Sequence, residues 1–354
     1  MDSITVLVTG AGAPGIAGTI YSLKNNPDNR SIRIVGVDMK EDVVGKYLCD
    51  AFFKIPAPSE RGYLDTVIRI CDNEGVDVIL PQTTNELYPL SQGKEALEKA
   101  GIKLALSNAD AIEKSNDKYE LFKLCEKLGV PVPKYALVSD FESLMSFAGK
   151  LGFPNKPFVI KPPVASGMRG LRIVDDEKSL KEMFYDEKPN GAYCRSEQLR
   201  TTLGEKFPPL LVMEYLPGDE YSVDCFRGES KNVAIPRKRD LIRTGITFNG
   251  TLEERKDIIE WSTKLAEEIG LEYCFGFQYK LDEKGVPKML ESNPRVQGTM
   301  VAATIGGANV IYASILLGLG ERAPEFNIKW GARIMRYWGG IGSLDDKRIA
   351  DILV

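Results

Sequence analysis

The stretch CFGFQYKLDEKGVPKMLESNPRVQGT, residues 274–299, concentrates chemistry more than any other part of the chain. Asp282-Glu-Lys-Gly285 reads as a hairpin turn between two strands. On the second strand Glu291 and Asn293 are two residues apart and share a face. Gln278 lies on the partner strand and can face them. One carboxylate and two amide oxygens around a point suit Mg2+, which takes hard oxygen donors and shares them with phosphates. Arg295 follows at once, placed for an anion beside such a metal. Polar residues at a strand end are the plainer reading, but E-S-N-P-R after an apolar strand is an uncommon grouping.

Two earlier stretches add to it. In KPFVIKPPVASGMRGLRIV, 156–174, a strand delivers Lys161 and a loop follows with Ser166, Gly167 and Gly170. Small residues let backbone N–H groups surround an anion, and Lys161 adds a point charge. A hairpin with a solvated lysine fits the same residues. In LLVMEYLPGDEYSVDC, 210–225, an apolar strand runs into Glu214-Tyr215-Leu216 and then Glu220. Such a segment can offer backbone groups to an adenine edge and an acid to a ribose; a bare strand–turn–strand is the alternative.

The composition bounds the chemistry. The chain has 354 residues, enough for two or three domains. It is 43% hydrophobic and 27% charged, with a net charge of −4, so a whole-surface polyanion binder is not expected, and nucleic acid is not an expected partner. No apolar run has the length of a membrane span, and the N-terminus enters a strand without a leader pattern. Six widely spaced cysteines, with no C-x-x-C, suggest reduced thiols and a cytoplasmic protein. Histidine is absent, which removes Ser-His-Asp and Cys-His mechanisms and any histidine-bound zinc.

The elements that must hold these residues fall into two patterns. Strands at 4–9, 32–38, 52–55, 77–80 and 102–104 alternate with helices at 15–25, 62–75 and 92–100, a βαβ series with near-continuous apolar strands and hence a parallel sheet buried on both faces. A helix over 116–129, with Asn116 as N-cap, opens a second pattern. From 157 strands dominate, with one helix over 253–270, as in an α+β domain with antiparallel sheets.

The first turn, Gly10-Ala-Gly-Ala-Pro-Gly15, fits G-x-G-x-x-G, and Asp38 ends the second strand where an acid would bind a ribose. Tyr119-x-x-x-Lys123 with Ser107 upstream repeats a spacing of short-chain dehydrogenases. Pro14 replaces a glycine of that family, and Tyr119 and Lys123 sit in a helix with no strand before it. A parallel sheet needs a tight first turn whatever it binds. An NAD-dependent oxidoreductase therefore stays open as an alternative, as does a nucleotide-binding protein with a decayed site.

Taken together and in order, these motifs resemble the ATP-grasp superfamily, and within it a stand-alone synthetase unit of the carbamoyl phosphate synthetase large subunit. The resemblance covers nearly the whole chain. It implies a Rossmann-like pre-ATP-grasp domain over 1–112, an ATP-grasp domain over 113–330 with a lid subdomain about 134–212, and a C-terminal extension over 331–354. It implies Lys118 and Lys161 as the ATP-phosphate lysines, with Ser166 and Gly167 in the closing loop. Glu214, Tyr215 and Leu216 would line the adenine hinge and Glu220 the ribose. Gln278, Glu291 and Asn293 match the metal pattern, and Arg295 the arginine at the transferring phosphoryl group. ATP and Mg2+ (or Mn2+) would be the cofactors.

The implied reaction is ADP-forming carboxylate–amine ligation through an acyl phosphate, on small-molecule substrates; the oligomeric state stays open, with a homodimer suggested by family analogy. One synthetase unit and no histidine argue against carbamoyl phosphate as the product. The basic run AIPRKRDLIRTG, 234–245, supplies Arg237, Arg239 and Arg243, which could hold a carboxylate or form a solvated edge strand. Asn85 and Glu86 in PQTTNEL could read an amine.

Overall fold

A computed structural model describes residues 3–165, 167–185, 191–228, 231–243 and 245–352. The chain forms two compact units: Met1–Ser115 with Glu220–Gln278 and Ser292–Val354, and Asn116–Asp219 with Tyr279–Glu291. The expected division at 112 and 330 follows sequence order. The compact units do not, because the chain leaves the first unit and returns to it.

The first unit opens with five parallel strands, β1 Ile4–Val8, β2 Ile32–Asp38, β3 Ala51–Lys54, β4 Val78–Leu80 and β5 Lys103–Leu104, in the order β3-β2-β1-β4-β5. The order reverses beside β1, as in doubly wound sheets. Val6, Val8, Ile34 and Val78 pack on one face with the helix Val310–Gly318; Leu7, Val35 and Ile79 pack on the other with the helix Tyr63–Glu74. Both faces are covered, as continuous apolar strands require. The helix Val310–Gly318 is apolar on every side and buried along most of its length.

The second unit holds β6 Tyr135–Asp140, β7 Phe158–Lys161, β8 Arg172–Val174, β9 Tyr193–Cys194 and β10 Lys206–Glu214, in the order β6-β10-β7-β8-β9. β10 runs antiparallel to both β6 and β7. The helix Phe141–Leu151 packs Phe141, Leu144 and Ala148 against Val138, Phe158 and Val212.

The remaining strands are β11 Glu220–Gly228, β12 Lys231–Arg243, β13 Ile246–Leu252, β14 Tyr273–Leu281, β15 Pro287–Asn293 and β16 Arg333–Met335, in the sheet order β15-β14-β11-β12-β13-β16. β11, β12, β13 and β16 pair antiparallel within the first unit. A hairpin, β17 Gly340–Leu344 with β18 Lys347–Ile352, ends the described chain. The fold is thus the α/β and α+β combination expected, a Rossmann-like sheet followed by sheets that are antiparallel apart from the parallel pair β8–β9.

Three local differences have physical causes. The helix expected over 116–129 runs Lys118–Leu128; its cap is Asp117 rather than Asn116, the Asp117 side chain accepts from Tyr119 N and Glu120 N at 2.8 and 3.2 Å, and a separate helix, Ala109–Asn116, precedes it. The helix expected over 92–100 is preceded by another, Thr84–Gln92, opened by a capping box of Thr83 and Glu86. The strand expected from the sequence over 231–237 continues as β12 to Arg243, carrying the basic run into the sheet.

Candidate functional site

In the second unit two lysines reach one strand end from different elements. Lys118 is the first residue of its helix and 5% exposed. Its N–H donates to Pro163 O at 3.0 Å and its Nζ to Ala165 O at 2.8 Å, so both ends of the residue hold the start of the glycine-rich loop. The same Nζ lies 3.7 Å from Glu291 Oε2. Lys161 ends β7, is 7% exposed, and donates from Nζ to Leu290 O at 3.1 Å. Its ammonium stands 5.7 Å over the Phe122 ring. Two buried ammonium groups therefore converge on Leu290 and Glu291, with the Glu291 carboxylate 3.7 Å from Lys118 Nζ. A polyanion is the chemical complement of that arrangement.

The loop after Lys161 turns through Gly167 and Gly170, both with positive φ, at 64° and 72°. A Cβ at Gly170 would stand 2.7 Å from the Pro162 ring. Ser166 lies outside the described residues. At the end of β10, Glu214 is tied to the other strand's entry: its Oε1 accepts from Lys134 N at 3.0 Å. Leu216 is buried, and Tyr215 is half-buried with Lys280 Nζ 5.8 Å from its ring centre.

β15 carries Glu291 and Asn293 on one side by strand alternation, and β14 beside it carries Gln278. Among the described residues no group of three or more His, Cys, Asp or Glu could hold a metal ion. The donor set that the motif offers is one carboxylate and two amide oxygens, which fits Mg2+ completed by phosphate oxygens rather than a cage of acids.

The first unit positions the arginine. Arg295 donates from Nε to Thr84 Oγ1 at 3.0 Å, from Nη1 to Val296 O at 2.9 Å and from Nη2 to Asn293 Oδ1 at 3.1 Å. It thereby leans on the N-terminal turn of the helix Thr84–Gln92. Asn85 on that turn is exposed, whereas Glu86 points inward. Glu86 Oε1 accepts from Thr83 N at 2.7 Å, Gln82 N at 3.1 Å and Thr9 Oγ1.

Burial pushes the Glu86 carboxyl above its ordinary range, against the pull of those hydrogen bonds. A raised folded value means that the native state holds the proton more tightly, so stability is greatest on the acid side and falls as pH rises through that value. Glu86→Gln keeps the acceptor and removes the charge. Its stability relative to the parent should increase between pH 5 and pH 8 in urea titrations; a difference constant with pH would contradict the assignment.

The basic run divides. Arg237 is 1% exposed and donates from Nε and Nη2 to Asp224, at 3.1 and 3.2 Å, and from Nη1 to Thr247 Oγ1 at 3.2 Å. Arg239 pairs with Glu220 through Nη1 and donates to Thr247 Oγ1 at 2.9 Å and Gly245 O at 2.6 Å. Glu220, expected at a ribose, thus faces an arginine of the neighbouring region of the sheet. Arg243 is exposed and stacks 4.7 Å over Phe248.

The glycine-rich first turn is filled by the chain itself. Gly12 N donates to Asp38 Oδ2 at 2.8 Å, and Lys40 N to Asp38 Oδ1 at 2.9 Å. A Cβ at Gly12 would stand 2.7 Å from Val43, and one at Gly15 2.9 Å from the Gly298 Cα. The glycines let neighbouring chain approach closely, and Asp38 is engaged by two backbone N–H groups. Nothing in this geometry favours NAD.

Two buried lysines, a glycine-rich loop and an E-x-N-x-R strand end are features of an ATP-grasp domain, and the N-terminal part of the first unit is a Rossmann-like sheet. Residues 206–336 match the family described as ATP-grasp in the biosynthetic pathway with Ter operon, and residues 6–105 match the PylC-like N-terminal domain. The chain therefore carries an ATP-grasp domain after a PylC-like N-terminal domain, in agreement with the resemblance drawn from the motifs.

The carbamoyl phosphate synthase large chain of Mesorhizobium japonicum is 30% identical over 260 residues, covering 67% of this chain and 22% of that protein. The arginine-specific large chain of Bacillus subtilis is 23% identical over 277 residues, covering 74% and 24%. The chain spans about a quarter of the length of these curated relatives. Among solved structures, the biotin carboxylase–β,γ-ATP complex of Campylobacter jejuni matches with a TM-score of 0.66 at 20% identity, over 91% of this chain and 72% of that one. The N5-carboxyaminoimidazole synthetase of Staphylococcus aureus complexed with ADP matches with a TM-score of 0.65 at 17% identity, over 92% and 80%. These likenesses show a shared fold.

Sequence reasoning passed over Gln297 and Arg336, which stand beside this segment. Arg336 donates from Nη1 to Pro14 O at 3.2 Å and from Nη2 to Gly298 O and, at 3.3 Å, to Thr299 Oγ1. The only signal for Gln297 was its place two residues after Arg295.

Proposed function

We propose that the protein is an ADP-forming ATP-dependent ligase that activates a small carboxylate as an acyl phosphate and passes the acyl group to an amine. The observation that carries this reading is the convergence of Lys118 and Lys161 on the end of β15. A carboxylate oxygen attacks the γ-phosphorus, the bond to the β–γ bridging oxygen breaks, and ADP leaves. The amine nitrogen then attacks the acyl carbon, phosphate leaves, and the amine gives up a proton.

The residues bind and orient; they form no covalent bond, which is how a chain without histidine can do this chemistry. Lys118 and Lys161 hold phosphate oxygens and offset their charge. Gly167 belongs to the loop that closes over the phosphates, and Ser166, outside the described residues, is proposed to contact them. Glu214, Tyr215 and Leu216 border the adenine, and Glu220 the ribose once its pairing with Arg239 rearranges. Gln278, Glu291 and Asn293 would hold Mg2+ or Mn2+, which neutralises charge on the phosphates when bound. Arg295 steadies the transferring phosphoryl group.

Arg237 and Arg239 act by fixing β12, and Arg243, with Asn85, is the exposed basic and polar surface available to substrate. Glu86 sets the turn that presents Asn85. A cytoplasmic location and a homodimer belong to this reading. Among the described residues no helix is long and apolar enough to cross a membrane.

The test is ADP release from MgATP under a matrix of carboxylates and amines. At least one pair should raise ADP release well above the ATP-only rate, with one phosphate per ADP. If no pair does so, the ligase reading fails.

A further inference from the structure

The sheet of the second unit has one long open edge. In the order β6-β10-β7-β8-β9, β6 pairs only with β10, whereas the opposite edge, β9, is two residues long. Exposed edges are usually blunted by shortness, proline or lysine. β6 reads YALVSD over six residues, with neither proline nor lysine.

The pairing with β10 fixes which groups face outward. Glu214 N donates to Lys134 O at 2.9 Å, and Val212 and Leu210 stand opposite Ala136 and Val138. By alternation Ala136 and Val138 bond toward β10, and Tyr135 and Leu137 turn their N–H and C=O groups to the open side. The Leu137 side chain is 39% exposed. A groove of about 600 Å3 lies against this edge. Residues 134–137 line it together with Tyr119 of the helix Lys118–Leu128 and with Phe147 and Leu151 of the helix Phe141–Leu151.

Charge selects the strand that pairs there. An added antiparallel strand sets its own outward residues against Tyr135 and Leu137. A second β6 does so about a two-fold axis at Leu137. Leu137 then faces Leu137 of the second copy, Ala136 faces Val138, Tyr135 faces Ser139, and Lys134 faces Asp140 at both ends. Moving the axis to Ala136 or Val138 keeps the hydrogen bonds in phase but shortens the pairing and takes Lys134 away from Asp140. Lys134 is exposed. Ser143 N and Oγ donate to Asp140 at 2.8 and 2.9 Å, which holds its carboxyl below the usual range and leaves acceptor positions for an ammonium. Opposite charges facing across strands stabilise a pair, and like charges oppose it.

We infer that β6 is the seam of a homodimer, in which two copies of this chain pair antiparallel about Leu137 and continue one sheet into the other. The inference rests on the homodimer of the reading above and not on its chemistry.

The experiment follows the mass of the full chain through a dilution series by sedimentation. The parent should dimerise. Leu137→Lys sets two ammonium groups at the axis and should raise the dimer Kd at least ~10-fold with the circular dichroism unchanged, because the side chain is already exposed. Lys134→Glu should weaken the dimer by facing Asp140. Two cysteine variants read the register under mild oxidation, with the parent and its six native thiols as control. Leu137→Cys should form a covalent dimer, since paired Cα atoms lie ~5.5 Å apart. Ser139→Cys should not, since its two copies stand ~13 Å apart along the strands.

A parent that stays monomeric up to ~100 μM overturns the inference and leaves the edge to an extended segment of another protein. A dimer that Leu137→Lys leaves intact, or that Ser139→Cys cross-links as readily as Leu137→Cys, overturns the seam alone and leaves a homodimer through another surface. ADP release is a separate readout: its failure counts against the ligase reading and leaves the seam standing.

Discussion

Lys161→Met is expected to lower ADP release by roughly 100- to 1,000-fold, the range for removing one preorganised charge from a water-poor site. The side chain ends a strand and is 7% exposed, so its ammonium is held at a fixed point rather than sampled from solvent. Methionine keeps the stem that packs near Phe122 and removes only the charge. The fall should therefore appear in kcat with the fold intact by circular dichroism. Lys118→Met should add a second effect. Its Nζ also holds Ala165 O, so its loss frees the start of the glycine-rich loop and should raise KM for ATP as well. A Lys161→Met variant within about threefold of the parent rate would show that the phosphates bind elsewhere.

Arg237→Ala should cost about 3–5 kcal/mol of stability, the largest loss expected from any single side chain in the basic run. Asp224 is fully buried, and burial already raises its pKa against the opposing charge of Arg237. Without the guanidinium, that carboxylate either stays charged in an apolar sheet or takes up a proton. The pH dependence follows in sign. Asp224 then has a folded pKa raised further above its unfolded one, so the variant recovers stability as pH falls through that value and is weakest at neutral pH. Removing both members, as in Asp224→Leu with Arg237→Met, should restore much of the loss, since a well-packed apolar pair can replace a buried ion pair. Urea unfolding of the three variants at pH 7 checks this. A single-variant loss under about 1 kcal/mol would mean that Asp224 finds another partner.

Local patterns carried the parts of the site that lie along one strand or one turn. The run E-S-N-P-R announced a strand end with convergent polar groups because alternation alone puts Glu291 and Asn293 on one side. Lys161 was legible because a strand rich in apolar residues ends on it. The parallel sheet was legible because its strands are apolar on both sides. What escaped depends on residues far apart in the chain. Gln297 fills the space where a Cβ at Gly276 would stand, and no period or motif links those two. Arg237 looked like a solvated or substrate-facing cation because Asp224, thirteen positions earlier, is needed to see a buried pair. The helix Thr84–Gln92 was passed over although Thr83 and Glu86 spell a capping box, because Pro89 interrupts its pattern. The N-cap moved from Asn116 to Asp117 for a smaller reason: either residue can cap, and only the carboxylate's reach to two N–H groups decides between them.

The close approach of Gly298 to Gly15 bears on how such a protein can be taken apart. Residues 1–115 look in sequence like a cassette that could be exchanged between relatives at a single junction. Yet the first glycine turn, Gly18 against Val301, and the inner face of β1 and β4 against the helix Val310–Gly318 all fit chain from beyond residue 290. A chimera cut once near 115 would graft a sheet onto a foreign lining. The heritable module is discontinuous, and a working swap has to carry 292–318 along with the N-terminal sheet.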